Sequence, residues 1–170
     1  INRLVTDRLS DLLFTPDRLS GENLLREGVP EQKIRFVGNI MIDTLEAQRN
    51  KAAALKIADI VCLNRIDEQA EAPLPDHTNG FSLMTLHRPS NVDDPAILSA
   101  IVNFLTNELT RDLTLLWTIH PRTKKQLKTC GLWDKVLSAK NLIALKPLGY
   151  HELLRLNMEA IMVLTDSGGL

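Results

Sequence analysis

His87-Arg88 and His120-Pro121-Arg122 each close a run of β-type apolar residues, and each sets an imidazole beside a guanidinium. An imidazole moves a proton near neutral pH, and a guanidinium forks onto a phosphate or carboxylate. Pro121 fixes the turn and aims His120 into whatever crevice lies beyond it. Two further apolar runs end comparably. Leu142–Leu145 leads into Pro147-Leu148-Gly149-Tyr150, and residues 161–164 lead into Thr165-Asp166-Ser167-Gly168-Gly169. Glycines after a strand let backbone N–H groups approach an anion closely, and Ser167 adds a hydroxyl donor. A helix following Leu170 would aim its first N–H groups at the same place and make a diphosphate site. The segment 147–150 has few reactive atoms. It suits main-chain hydrogen bonding to a flat base, with Tyr150 or Leu148 as a wall.

Each tip also has a plainer reading. The glycine turn is equally a tight strand-to-helix connection with no ligand. His87-Arg88 alone reads rather as a capping imidazole and a surface arginine. Arg122, Lys124 and Lys125 read as a solvated first helical turn, and residues 147–150 as an ordinary loop. What raises the functional reading is their shared position. In open parallel α/β sheets, ligands bind outside the carboxyl ends of the strands, so tips on one rim predict one composite site.

The elements that must carry these tips follow from periodicity. Residues 2–9 read as a short amphipathic helix and 12–15 as a brief strand. A helix capped by Ser20 runs to Glu27 and stops at Gly28, and 34–37 is a second strand. Residues 41–60 read as one long helix, and 65–80, polar with two prolines, as a mobile loop. From Phe81 the rhythm is regular, with strands near 81–86, 113–119, 142–145 and 161–165. Helices fall between them near 95–110, 121–130 and 151–157, the first with Asp94 as N-cap and Pro95 in its first turn. This alternation predicts an α/β fold: a Rossmann-like parallel sheet with flanking helices and right-handed crossovers.

The bulk properties narrow the function classes. Net charge is −1 with no basic run, which argues against nucleic acid as a partner. No apolar stretch approaches the ~20 residues needed to span a bilayer, and no signal peptide is visible. Cys62 and Cys130 are far apart and read as reduced thiols of a cytoplasmic protein. The histidines lack metal-ligand spacing and no carboxylate cluster accompanies them, so no metal is expected. His77 and His151 read as solvated or structural. The chain opens on Ile1 and stops just after Gly168-Gly169, where a helix is expected, so it reads as an internal piece of a longer protein.

Taken in order, LHRPSNVDD, TIHPRT, PLGYHELLRL and LTDSGG resemble the non-hydrolysing UDP-N-acetylglucosamine 2-epimerase family. The earlier stretches NRLVTDRLSDLLFTPD, ENLLREGV and IRFVGNIMIDTL resemble the part of that family that ends its first domain and crosses to its second. The resemblance implies two Rossmann-like domains in a GT-B arrangement, with residues 1–41 the end of the first. Residues 42–170 would then be a truncated second, UDP-binding domain. It implies interconversion of UDP-GlcNAc and UDP-ManNAc by UDP elimination across C1–C2, through a bound 2-acetamidoglucal, without a cofactor. A homodimer is also implied.

By the same resemblance His87 matches a catalytic-region histidine and Arg88 its companion. His120 matches a second rim histidine. Ser167, Gly168 and Gly169 match the diphosphate grip, and Gly149 and Tyr150 the uracil pocket. Asn2-Arg3 match the segment after a catalytic carboxylate motif. Many members read His-Arg-Arg-Glu-Asn where this chain has His87-Arg88-Pro89-Ser90-Asn91, so the second arginine and the glutamate are absent. The family's catalytic carboxylates match positions before Ile1, and its ribose-binding glutamate a position after Leu170. Rival readings are a GT-B glycosyltransferase using a UDP-sugar, a hydrolysing epimerase, and a non-catalytic nucleotide-sugar-binding domain.

Overall fold

The structure, a computed structural model, describes residues 2–66 and 80–168. Most of the segment read as a mobile loop, with His77, therefore lies outside the described residues, as does Gly169. The chain divides into two compact units, Ile1–Gln48 and Arg49–Leu170.

The first unit contains α1 (Asn2–Leu9), β1 (Leu13–Thr15), α2 (Arg18–Arg26), β2 (Ile34–Phe36) and most of α3 (Ile40–Ala53). β1 and β2 pair in parallel, Leu13 opposite Ile34. Leu13, Leu24 and Val29 form its small core, with Ile34 packed against them. The cap of α2 is Asp17, not Ser20. The Asp17 carboxylate accepts from the Ser20 N–H at 2.7 Å and from its hydroxyl at 2.9 Å. An aspartate three residues earlier reaches that amide directly, so the helix starts sooner and Ser20 falls inside it. Gly28 ends the turn with φ 80°, a conformation costly for any side chain bearing Cβ.

The second unit contains α4 (Ile57–Asn64), β3 (Phe81–Leu86), α5 (Pro89–Val92), α6 (Pro95–Asn107), β4 (Thr114–Ile119), α7 (Pro121–Thr129), α8 (Trp133–Ser138), β5 (Leu142–Leu145), α9 (Tyr150–Glu159) and β6 (Met162–Thr165). The long helix expected over 41–60 is broken between α3 and α4, where Lys56 is extended at φ −89°, ψ 128°. Tertiary contact explains the break: the freed Leu55 carbonyl accepts from Arg155 Nε at 2.9 Å, and Leu55 packs on the core. Asp94 caps α6 as expected, accepting from the Ala96 N–H at 2.8 Å. α8 falls in a stretch without a clear apolar period. It is held by buried Val136, while Lys124 and Lys128 lie over the Trp133 ring.

Four parallel strands form one sheet in the order β5-β4-β3-β6. Side chains alternate between its faces. Met84, Leu86, Leu115, Trp117, Leu142 and Ala144 pack with residues of α5, α6, α7 and α8. Leu83, Leu116, Ile143 and Leu145 pack on the other face with Ile57, Ile60 and Val61 of α4 and Leu156 of α9. Crossovers from β3 to β4 to β5 therefore run over one face, and the return to β6 over the other. That reversal makes the β3–β6 boundary a topological switch point. The expected Rossmann-like parallel sheet with flanking helices is what the chain forms.

Candidate active site on the sheet rim

Register brings the tips level. Leu86 stands opposite Ile119, Thr85 opposite Thr165, and Thr118 opposite Leu145. Each chemical residue thus leaves the sheet within about one residue of its neighbour. Alternation then decides the face. Thr85, His87, Thr118, His120 and Ser167 share parity with Leu83 and Leu116, so they lie on the side covered by α9. Together with Leu86, Pro147, Leu148 and Leu153 they line one cleft of about 270 Å³. That is just below the ~300 Å³ at which small-molecule sites begin. A groove of about 560 Å³ lies in the first unit, lined by Arg3, Asp7 and Glu27 among others. Its arginine is engaged by both of those carboxylates, which neutralises it locally.

His87 is fixed from both sides of β3. The Leu86 carbonyl just before it accepts from the buried Thr123 hydroxyl. Its own N–H donates to Asp166 at 3.0 Å, and the Arg88 N–H donates to the same carboxylate at 2.7 Å. The Asn91 side-chain amide adds a third donor at 3.1 Å. The His87 ring approaches too, with Nδ1 3.3 Å from Oδ1. Burial of Asp166 opposes its ionisation. The Arg88 N–H, the Asn91 amide, the His87 N–H and the His87 charge outweigh it and hold the carboxyl below its ordinary range.

His120 serves as N-cap of α7: its Nδ1 accepts from the Arg122 N–H at 3.2 Å. That bond leaves Nε2 as the protonated nitrogen of the neutral ring. The His87 and His120 ring centroids are 6.1 Å apart. Arg122 turns from the rim to Asp93, whose carboxyl it holds below its ordinary range with help from Gln126.

The remaining residues singled out in the sequence are placed less uniformly. Ser167 lines the cleft, and its N–H donates to Thr165 Oγ1 at 2.9 Å. Gly168 is exposed, and a Cβ there would meet nothing within 4 Å. Arg88 is exposed and is not among the residues that line the cleft. Gly149 and Tyr150 stand outside the cleft lining. The Gly149 N–H donates to the Glu152 carboxylate at 2.8 Å, and Tyr150 is edge-on to His151 at 5.7 Å. Pro147 and Leu148 supply the wall at this tip. Among the described residues no group of three His, Cys, Asp or Glu is placed to hold a metal ion.

Asp166 and Asn91 are the site residues that motif reasoning passed over. Asp166 stood inside a glycine turn read for its N–H groups, and Asn91 entered as part of the family motif, with no role given to it. The available signal was an aspartate at the end of a strand able to pair beside β3.

A switch-point cleft lined by two histidines and a serine at parallel strand ends is where a Rossmann-like fold offers a candidate small-molecule site. The family profile described as UDP-N-acetylglucosamine 2-epimerase matches residues 1–170, and the chain belongs to that family. It is 39% identical over 175 residues to the UDP-N-acetylglucosamine 2-epimerase of Methanocaldococcus jannaschii, covering 99% of this chain and 44% of that protein. It is 34% identical to the enzyme of that name from Methanococcus maripaludis, again covering 99% and 44%. The crystal structure of the M. jannaschii enzyme in complex with UDP-GlcNAc and UDP superposes with a TM-score of 0.78 at 35% identity, covering 99% of this chain and 43% of that one. The chain thus spans under half the length of these relatives. No helix among the described residues is long and apolar enough to cross a membrane.

Proposed function

We propose that the protein carrying this chain interconverts UDP-GlcNAc and UDP-ManNAc, as an epimerase that keeps UDP bound between elimination and re-addition. The observation that carries the reading is the joint lining of one switch-point cleft by His87, His120 and Ser167. Family membership and the relative with bound UDP-GlcNAc and UDP support it.

The reaction needs two things from the protein. A departing diphosphate must be held so that it can return, which calls for fixed donors where negative charge develops. Arg88, Ser167, Gly168 and Gly169 fill that role in this reading. The C2 proton must leave one face and be replaced on the other, which calls for acid/base groups. His87 supplies one of them. His120 presents its Nε2–H to the sugar or phosphate, and the 147–150 tip with Gly149 and Tyr150 flanks the uracil. The rest of the machinery lies in the partner Rossmann-like domain of a GT-B arrangement, so this chain alone binds nucleotide weakly and does not turn over. The free thiols of Cys62 and Cys130 suit a reducing, cytoplasmic setting.

The test is proton NMR of the intact protein with UDP-GlcNAc in D₂O. Deuterium at C2 together with UDP-ManNAc is the expected result. Free ManNAc with UDP would mark a hydrolysing enzyme. An unchanged C2 proton would overturn epimerisation in favour of a transferase or a non-catalytic binder.

A further inference from the structure

Asp166 carries more hydrogen bonds than a turn requires. Oδ2 accepts from the N–H of Arg88 at 2.7 Å, the N–H of His87 at 3.0 Å and the amide of Asn91 at 3.1 Å. Those bonds fix the carboxylate plane, and Oδ1, which also lies 3.3 Å from the His87 N–H, faces the His87 ring 3.3 Å from Nδ1. The Asp166 side chain is 8% exposed and that of His87 44%, so the acid is the buried member of the pair. A separation of 3.3 Å is slightly long for a hydrogen bond, and such contacts commonly tighten only once substrate is bound.

We infer that Asp166 is a positioning residue that holds His87 with its proton on Nδ1 and with Nε2 bare as the proton acceptor of the cleft. The inference rests on the epimerase reading for its chemistry, though not for its geometry. An ionised carboxylate accepts and cannot donate, so a ring nitrogen facing it carries the hydrogen. His120 is fixed in the opposite tautomer, because its Nδ1 accepts from the Arg122 N–H. The cleft therefore presents one accepting and one donating imidazole, with ring centroids 6.1 Å apart. Two ring nitrogens of opposite character suit a reaction that removes a proton at carbon while charge builds on a neighbouring oxygen. Asn91 serves the same end by bonding Oδ2, which helps hold the carboxylate with Oδ1 toward the His87 backbone and ring.

Asp166→Asn in the intact protein separates positioning from packing. The asparagine carbonyl can keep the backbone N–H bonds, while its NH₂ faces Nδ1 and forces that nitrogen to accept. Long-range ¹⁵N–¹H NMR of ¹⁵N-histidine-labelled protein, with His87 assigned by loss of its signal in His87→Gln, reads the tautomer directly. Expected are a protonated Nδ1 in the wild type and a protonated Nε2 in Asp166→Asn. The variant's kcat should fall by about 10²–10⁴-fold with KM changed less than about threefold. A bare Nδ1 in the wild type overturns the inference even if the variant does not fold. So does an unchanged tautomer in the variant, or a kcat within about threefold of wild type. If the wild type leaves C2 untouched, the epimerase reading fails, while the tautomer still decides the positioning role.

Discussion

Thr123, buried in the first turn of α7, donates its hydroxyl to the carbonyl of Leu86, the residue just before His87. One side chain thus ties the helix that His120 caps to the strand that His87 ends. Thr123→Val keeps the shape and removes that bond, at a cost of about 0.5–1.5 kcal/mol. The urea midpoint should drop accordingly, and turnover should fall with it as the two histidines lose their common anchor. Thr123→Ser should restore most of both. An unchanged midpoint in the valine variant would show that the bond holds nothing.

His120 has two separable jobs. As N-cap it accepts from the Arg122 N–H, and as an imidazole it lines the cleft. His120→Ala should cost about 1 kcal/mol through the lost cap. His120→Asn should recover that stability, since asparagine is a favoured cap, yet remain as impaired in turnover as the alanine variant. Full activity in the asparagine variant would reduce His120 to a capping residue.

Stability should depend on Asp166 in a defined direction. Its folded carboxyl titrates below its ordinary value, and an unfolded aspartate titrates near ~3.9. The ionised group therefore contributes stability that is fully present above the unfolded value and is lost as pH falls through the folded one. Denaturation midpoints measured from pH 7 downward should show the wild type losing more than Asp166→Asn below about pH 4. Parallel curves would contradict the hydrogen-bonded, ionised state.

Arg88 should act on anion binding more than on stability. It is exposed, and its backbone N–H, not its side chain, makes the contact with Asp166. Removing a charge-assisted contact to a diphosphate costs about 1.5–3 kcal/mol, or roughly 10–100-fold in affinity. Calorimetry of UDP binding to intact Arg88→Ala should show that loss with an unchanged melting temperature. Arg88→Lys should recover only part, because the ammonium lacks the planar fork. Wild-type affinity in the alanine variant would remove Arg88 from the diphosphate grip.

Periodicity was enough to read the βαβ rhythm from Phe81 onward, because β3 to β6 are apolar runs bounded by Pro, Gly and polar tips. The Asp94 and Pro95 start of α6 was legible for the same local reason. The break between α3 and α4 was not, because 41–60 has a helical composition throughout and the interruption depends on Arg155, about a hundred residues away. α8 escaped notice because six residues carry too few turns to show a period.

The sequence by itself determined the strand tips and their chemistry: His87, His120 and Ser167 each follow an apolar run. It also held the ordered motif set that marks the family. Only the tertiary structure decided which tips meet. The return crossover over the opposite face places β6 beside β3, and parallel register then sets Asp166 against His87. A hydrogen bond between residues 79 apart is fixed by strand order and register. Neither is written in any local stretch of the chain, because both arise from packing the helices onto two faces of one sheet.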